Sequence, residues 1–237
     1  MTKSNRQLSK SGAGPFSAAG FAERALQRGI ALDKASWMSG QPISYGLDAG
    51  RLVDDLGEVI GGSRWEHTVP SPTWRTAAVL VPVIAREPEV TVLLTLRTSH
   101  LSSHGGQIAF PGGKVDEEDK TPVDAALREA EEEVGLPRSL ATPLSLLDLH
   151  KTGTGYRIVP VLSLIDPAFK PQPAPDEVAD IFEVPLSFLM TEQNHVEHFR
   201  EWRSRRILFH AIAYEERLIW GATAAMIRNL FERLYAS

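Results

Sequence analysis

One short run of the sequence brings together side chains that could bind a metal ion. Residues 128–136 are Arg-Glu-Ala-Glu-Glu-Glu-Val-Gly-Leu. On a helix, Glu129, Glu132 and Glu133 share one face because they are spaced i, i+3, i+4. Clustered carboxylates repel one another, and oxygen-only sets of this kind suit Mg²⁺ or Mn²⁺. A solvated acidic face is the common alternative for such a charge run.

Arg128 and a Gly-Gly pair flank this carboxylate cluster. Arg128 lies one helical turn before Glu132 and can hold it by a charge-assisted hydrogen bond. Gly112 and Gly113 stand upstream, where the lack of a side chain could let a backbone carbonyl approach the metal. A tight turn after a strand is the other interpretation of the two glycines.

The helix that must carry the carboxylates has a clear beginning and end. Thr121 is a good N-cap, Pro122 fits the first helical position, and Asp124 gives a capping-box-like pattern. Gly135, followed closely by a proline, predicts the end. A separate apolar arc predicts packing against a core, and it consists of Val123, Ala126, Leu127, Ala130 and Val134.

With these residues in place, the chain resembles the Nudix hydrolases, whose box is G-x5-E-x7-R-E-U-x-E-E-x-G-U with U apolar. Members cut a diphosphate linked to another moiety, so the resemblance implies metal binding by the three glutamates and by Gly113. Gly113 stands one residue further from Arg128 than the box expects. The loop of residues 115–120 therefore carries an insertion, and the role of the upstream glutamate falls to one of Glu117, Glu118 and Asp119.

A second resemblance narrows the family. Residues 93–113 are similar to the pattern LLTxR-S/T-x3-R-x3-G-x3-FPGG of the coenzyme A pyrophosphatase branch, which also has the longer loop. Ser102 stands where that pattern has its second arginine. The branch resemblance implies hydrolysis of coenzyme A or its derivatives to 3′,5′-ADP and 4′-phosphopantetheine species.

Four further residues are candidates for substrate contact or for proton transfer. Arg97 ends a predicted strand and could bind a phosphate bidentately, or could simply be exposed. His104 in a polar loop is a substrate-binding candidate or an ordinary surface histidine. Gly112, together with Gly113, completes the predicted substrate-contacting set. Glu177 precedes an apolar strand, and the Nudix resemblance implies that an acid in such a loop activates water, with a solvated strand-edge charge as the alternative.

Composition excludes several classes of protein. The 237 residues carry a formal net charge of −5, which argues against a general nucleic-acid or membrane surface. No apolar run is long enough for a transmembrane helix. Because the chain has no cysteine, disulfides and thiolate metal sites are excluded, and we expect a cytoplasmic location. A homodimer is compatible with the sequence.

Periodicity predicts an N-terminal extension of residues 1–70 and a Nudix domain of residues 71–237. In the extension we expect residues 1–17 to be disordered, a short helix from Phe21 to Leu32 and a helix over 49–60. In the domain, the pattern predicts an α/β/α sandwich around a mixed sheet. The predicted strands are 77–84, 90–96, 107–110, 144–151, 158–165, 178–184, 196–202 and 207–214, and the other helices are 185–190 and 219–234.

Two alternatives to a coenzyme A diphosphatase stay open at this point. One is a Nudix diphosphatase for another substrate, such as ADP-ribose, which Ser102 favours. The other is a non-catalytic nucleotide-binding module, although the three glutamates of the box are intact.

Overall fold

The computed structural model describes residues 14–32, 52–53, 75–99, 105–152, 155–202 and 205–236. The helices are α1 (Ala18–Arg28), α2 (Pro122–Val134), α3 (Leu186–Leu189) and α4 (Gly221–Leu234). The strands are β1 (Leu52–Val53), β2 (Arg75–Ile84), β3 (Thr91–Arg97), β4 (Ile108–Ala109), β5 (Gly112–Lys114), β6 (Ala141–Leu146), β7 (Leu149–Lys151), β8 (Tyr156–Ile165), β9 (Val178–Pro185), β10 (Val196–Trp202), β11 (Arg205–Tyr214) and β12 (Arg217–Trp220).

A nine-stranded mixed sheet forms the centre of the molecule. Its main path runs β1-β7-β8-β2-β3-β4, with β5 paired to β2, β6 to β8 and β9 to β3. The pairs β2–β8 and β1–β7 are parallel and the others are antiparallel. Strands β10, β11 and β12 form a separate antiparallel sheet.

Helices cover both faces of the large sheet, which confirms the predicted α/β/α sandwich. Along β2 the side chains alternate between two cores because successive residues of a strand point to opposite faces. Ala78 and Leu80 pack with α2 in one core. Val79 and Val81 pack with α1 and α4 in the other.

Helix α2 has the predicted beginning and end. The backbone N–H of Asp124 donates to the Thr121 hydroxyl at 3.1 Å, and that hydroxyl donates to the Asp124 carboxylate at 2.8 Å. Pro122 is the first helical residue, and Gly135 ends the helix in the left-handed conformation with φ of 67°. Val134 and Ala130 are fully buried, so the apolar arc faces the core. The glutamates lie on the side of the helix that faces β5.

The N-terminal region differs from the expectation. Residues 14–17 are ordered rather than disordered, because the Phe16 ring stacks on Tyr235 at 5.4 Å and Ser17 caps α1. The helix spans Ala18–Arg28, earlier than predicted, and its Phe21 is fully buried in the core that α4 shares. The division at residue 70 stays a prediction. None of the helices in the described ranges is long and apolar enough to cross a bilayer.

Three predicted elements have different bounds. The single strand over 144–151 is two strands, β6 and β7, because the chain breaks at the buried Asp148. The C-terminal helix begins at Gly221, since the two preceding predicted helical residues belong to β12 and pair with β11. The helix over 49–60 is wrong at 52–53, which form β1 beside β7. The rest of that segment lies outside the described residues.

Candidate active site

Glu133 is the most deeply placed of the three glutamates. It is 1% exposed, although it is an acidic residue on a helix face. Arg97 donates from Nη1 to Glu133 Oε1 at 2.9 Å, and the backbone N–H of Gly112 donates to Oε2 at 3.2 Å. Burial raises the pKa of Glu133 to about 7, against the opposing effects of Arg97 and the Gly112 N–H. A partner with a higher positive charge than Arg97 would therefore stabilise the ionised form of Glu133.

Glu129 lies directly over the Gly-Gly turn. A Cβ atom at Gly113 would stand 2.4–2.6 Å from the Glu129 carboxylate, so only glycine allows this approach. A Cβ at Gly112 would instead meet the backbone of β2, at 2.4 Å from the Ala78 carbonyl oxygen. Burial raises the pKa of Glu129, and the nearby charges of Glu132 and Glu177 add smaller effects in the same direction.

Arg128 ties the loop before α2 to the helix. It donates to both carboxylate oxygens of Asp119, at 2.9 and 3.2 Å, and to the Lys114 carbonyl at 3.1 Å. The same guanidinium donates to Glu129 at 3.0 Å and to Glu132 at 3.1 Å. The contact with Glu132 was predicted. Asp119 is one of the three acids considered for the role of the upstream glutamate, and the hydrogen bonds from Arg128 lower its pKa.

Glu132 and Glu177 occupy the rim of the site. The Glu132 side chain is 57% exposed and is held by Arg128. Glu177 is exposed and its backbone carbonyl accepts from the Thr98 N–H at 3.0 Å, which places it beside the end of β3. The loop that leads to Glu177 is bound to the end of α2, since the Ala174 N–H donates to the Glu133 carbonyl at 3.0 Å.

Three segments far apart in sequence thus meet at one place. The end of β3 supplies Arg97, the β5 turn supplies Gly112 and Gly113, and α2 supplies the carboxylates. The ion pair between Arg97 and Glu133 was not foreseen, because the sequence pattern indicated a phosphate contact for the arginine. No spacing rule links two residues 36 positions apart, so only the fold could reveal this pair. His104 and Ser102 lie outside the described residues.

A family model described as the NUDIX domain matches residues 74–211. The chain belongs to the Nudix family. Two relatives called "Uncharacterized Nudix hydrolase NudL", from Yersinia pestis (strain Pestoides F) and Yersinia pseudotuberculosis serotype O:1b (strain IP 31758), are each 40% identical over 166 residues. That stretch is 69% of this chain and 82% of each relative. The protein is therefore a Nudix hydrolase, and its carboxylate helix is the Nudix helix.

Two solved structures are similar to part of this chain. The Nudix hydrolase RenU from M. smegmatis is 21% identical, with a TM-score of 0.46 over 67% of this chain and 84% of RenU. The Nudix domain of Shewanella oneidensis NrtR, solved with ADP ribose, is 20% identical, with a TM-score of 0.39 over 52% of this chain and 80% of that domain.

Nudix hydrolases generally use divalent metal ions, and the donors at this site suit one. Within the described part of the chain, no three His, Asp or Glu side chains converge as a metal-binding group. Glu129 and Glu133 are bound instead to Arg128 and Arg97. The donor set is nevertheless oxygen-only, and the missing Cβ at Gly113 leaves space that the Glu129 carboxylate enters. These residues therefore fit a divalent cation such as Mg²⁺ if Arg97 or Arg128 moves away from the carboxylate that it contacts.

Proposed function

We propose that this Nudix hydrolase cleaves the diphosphate bond of coenzyme A or its derivatives with Mg²⁺ or Mn²⁺ as cofactor. The products are 3′,5′-ADP and a 4′-phosphopantetheine species. The observation that carries the proposal is the convergence of the segment similar to the coenzyme A pyrophosphatase branch with the Nudix helix. Its Arg97 and Gly112 both contact Glu133.

The carboxylates of the Nudix helix supply the metal ligands in this proposal. Glu129, Glu133 and the carbonyl of Gly113 would hold the cation, and Glu132 would assist from the exposed rim. A divalent cation bound there neutralises charge on the diphosphate and makes a bound water more acidic.

The surrounding residues position the substrate and move a proton. Arg97, Gly112 and His104 contact the diphosphate or the nucleotide, and a guanidinium matches phosphate oxygens in a bidentate way. Glu177 accepts the proton of the attacking water from the loop beside β3. Through its hydrogen bonds to Asp119, Arg128 holds the loop before α2 next to the carboxylates of the helix. A cytoplasmic location follows as part of the same proposal.

Ser102 is the reason to consider a second class of substrate. Ser102 replaces the second arginine of the branch pattern, and that loss removes a cationic group from the loop after β3. A Nudix diphosphatase for ADP-ribose or another nucleoside diphosphate derivative is therefore the alternative.

The test is a comparison of kcat/KM for coenzyme A, acetyl-coenzyme A, ADP-ribose and a nucleoside triphosphate with Mg²⁺ and with Mn²⁺. This ratio is the quantity that measures discrimination between substrates. We expect coenzyme A or its acetyl derivative to be preferred, with 3′,5′-ADP as a product. A preference of about tenfold or more for ADP-ribose or the triphosphate would overturn the branch assignment and leave the Nudix assignment intact.

A further inference from the structure

In the described ranges, Arg97 and Arg128 contact the glutamates of the Nudix helix, and the two arginines are held very differently. Arg128 is fixed by Asp119, by the Lys114 carbonyl and by two glutamates. For the guanidinium of Arg97, by contrast, the structure shows one ion pair within the described ranges, to Glu133. Releasing Arg97 from this site therefore breaks one ion pair, while releasing Arg128 breaks a network.

The backbone of Arg97 is anchored by two hydrogen bonds, whereas its guanidinium has one ion pair in the described ranges. The Arg97 N–H donates to the Gln107 carbonyl at 3.0 Å, and the Arg97 carbonyl accepts from the Gly106 N–H at 3.1 Å. The register of β3 against β9 shifts between Leu96 and Arg97, which ends regular pairing at this residue. The side chain is 22% exposed, so its outer part reaches solvent.

Both oxygens of the buried Glu133 carboxylate already accept a hydrogen bond. Its side chain is 2% exposed, Arg97 binds Oε1, and the Gly112 N–H binds Oε2. A divalent cation at Oε1 would stand next to a full positive charge in a buried place, where repulsion is weakly screened. Charge repulsion therefore makes Arg97 and a divalent cation competitors for Glu133.

We propose that Arg97 is a latch that transfers from Glu133 to a diphosphate oxygen of the substrate when a divalent cation binds Glu133. The proposal rests on the proposed function, because it needs a metal and a diphosphate at this site. Its consequence is coupling: the diphosphate draws Arg97 away from Glu133 and so favours the metal, and the metal frees Arg97 for the diphosphate. Linkage requires that the two effects be equal in size.

Removing the latch should change metal and nucleotide affinity in opposite directions. Isothermal titration calorimetry on the full-length protein would measure Mn²⁺ binding alone, and then binding of α,β-methylene-ADP at saturating Mn²⁺. In Arg97→Met we expect Mn²⁺ alone to bind about tenfold more tightly, because its competitor is gone. We expect the methylene nucleotide to bind about tenfold more weakly, because a charge-assisted contact is lost. A residue that only supports the structure would weaken both.

Matched variants make the result specific. Arg86→Met breaks another arginine–glutamate pair of the same sheet, Arg86–Glu183, and should leave both affinities unchanged. Arg97→Lys keeps the charge with fewer donors, so it should shift both affinities in the same directions by a smaller factor. This milder variant gives the answer if Arg97→Met does not fold.

The outcomes separate the latch from the metal site itself. Glu133→Gln should abolish high-affinity Mn²⁺ binding. If it does so while Arg97→Met or Arg97→Lys binds Mn²⁺ no more tightly than the wild type, the latch is wrong and the proposed metal site stands. If Glu133→Gln binds Mn²⁺ as the wild type does, the metal assignment fails and the latch fails with it.

Discussion

At the scale of single residues, Glu133 is the feature that most needs an explanation. Acidic side chains are rarely fully buried unless they are paired, and this one is 1% exposed. Burial raises its pKa to about 7, so the fold tolerates a poorly solvated carboxylate. Its two partners, Arg97 and the Gly112 N–H, offset part of the cost of this burial, and in the proposed function the carboxylate also binds a metal ion.

Glu133→Gln should therefore leave the fold intact and lower kcat/KM by roughly 100-fold, about 2.7 kcal/mol of barrier. The amide keeps the shape but lacks the charge that holds a cation. Glu131→Gln is the matched control, because Glu131 is exposed on the same helix and should retain full activity. Activity of Glu133→Gln within about threefold of the wild type would refute the ligand assignment.

At the scale of elements, Asp119 connects the longer loop before α2 to Arg128 on the helix. Its carboxylate is 5% exposed and binds Arg128 through both oxygens, while Glu117 and Glu118 are exposed. The sequence could limit the choice to three acids because the box fixes the arginine. It could not choose among them, since the path of an inserted loop depends on which side chain reaches the helix.

Asp119→Asn should loosen this loop and lower kcat/KM by about tenfold, because a neutral amide cannot accept from both guanidinium donors. The measurement is steady-state kinetics beside a melting curve. Glu118→Gln removes an equal charge from the same loop and should behave as the wild type. If the two variants have the same activity, Asp119 does not position Arg128.

The pair Arg86–Glu183 fixes β9 against the β2–β3 hairpin. Arg86 donates to both oxygens of Glu183, at 2.7 and 3.1 Å, and to the carbonyls of Pro167 and Phe169. Burial alone would raise the pKa of Glu183, but the hydrogen bonds from Arg86 and Thr91 bring it below its ordinary value. A depressed carboxyl pKa means that the pair stabilises the fold when Glu183 is ionised.

Arg86→Met should lower the free energy of unfolding at pH 7 by about 2 kcal/mol, because a partly buried charged acceptor loses its partner. The loss should be full above the ordinary carboxyl pKa and should shrink as the pH falls through the lowered pKa of Glu183. Urea unfolding of both proteins between pH 7 and pH 3 would show this. A difference that is constant over that range would mean that ionisation of Glu183 does not contribute.

The elements were predictable where local chemistry decides them. The caps of α2 and the apolar, β-rich runs that form β2, β3 and β8 follow from short-range patterns, and they are present. The break between β6 and β7 was not predictable, because it depends on the buried Asp148. That carboxylate is held by Arg233 and Asn229 on α4, more than 80 residues away. Strand β12 was missed because its apolar residues continue the periodicity of the following helix.

At the scale of the whole molecule, the N-terminal helix closes the side of the sheet opposite the site. Arg24 and Arg28 on α1 donate to the Leu234 carbonyl at the end of α4, and Arg233 donates back to the Arg28 carbonyl. Phe21 is fully buried between these layers. Residues before the matched Nudix region therefore contribute to its core.

Phe21→Ala should lower the free energy of unfolding by about 3–4 kcal/mol, because it leaves a cavity in a packed interior. Thermal and urea unfolding would measure the loss. Leu26→Ala is the control on the same helix, since Leu26 is 64% exposed and should change stability little. Equal stability of Phe21→Ala and the wild type would show that α1 does not belong to the core.

The proposed function is hydrolysis of coenzyme A with the help of a divalent cation bound by Glu129 and Glu133. The most direct measurement is the rate of 3′,5′-ADP release from coenzyme A, before and after exhaustive chelation with EDTA and after addition of Mg²⁺ or Mn²⁺. We predict that chelation stops release and that either cation restores it, because a bound divalent cation would both neutralise charge on the diphosphate and make the attacking water more acidic. Undiminished release of 3′,5′-ADP by the chelated, folded protein would contradict this mechanism.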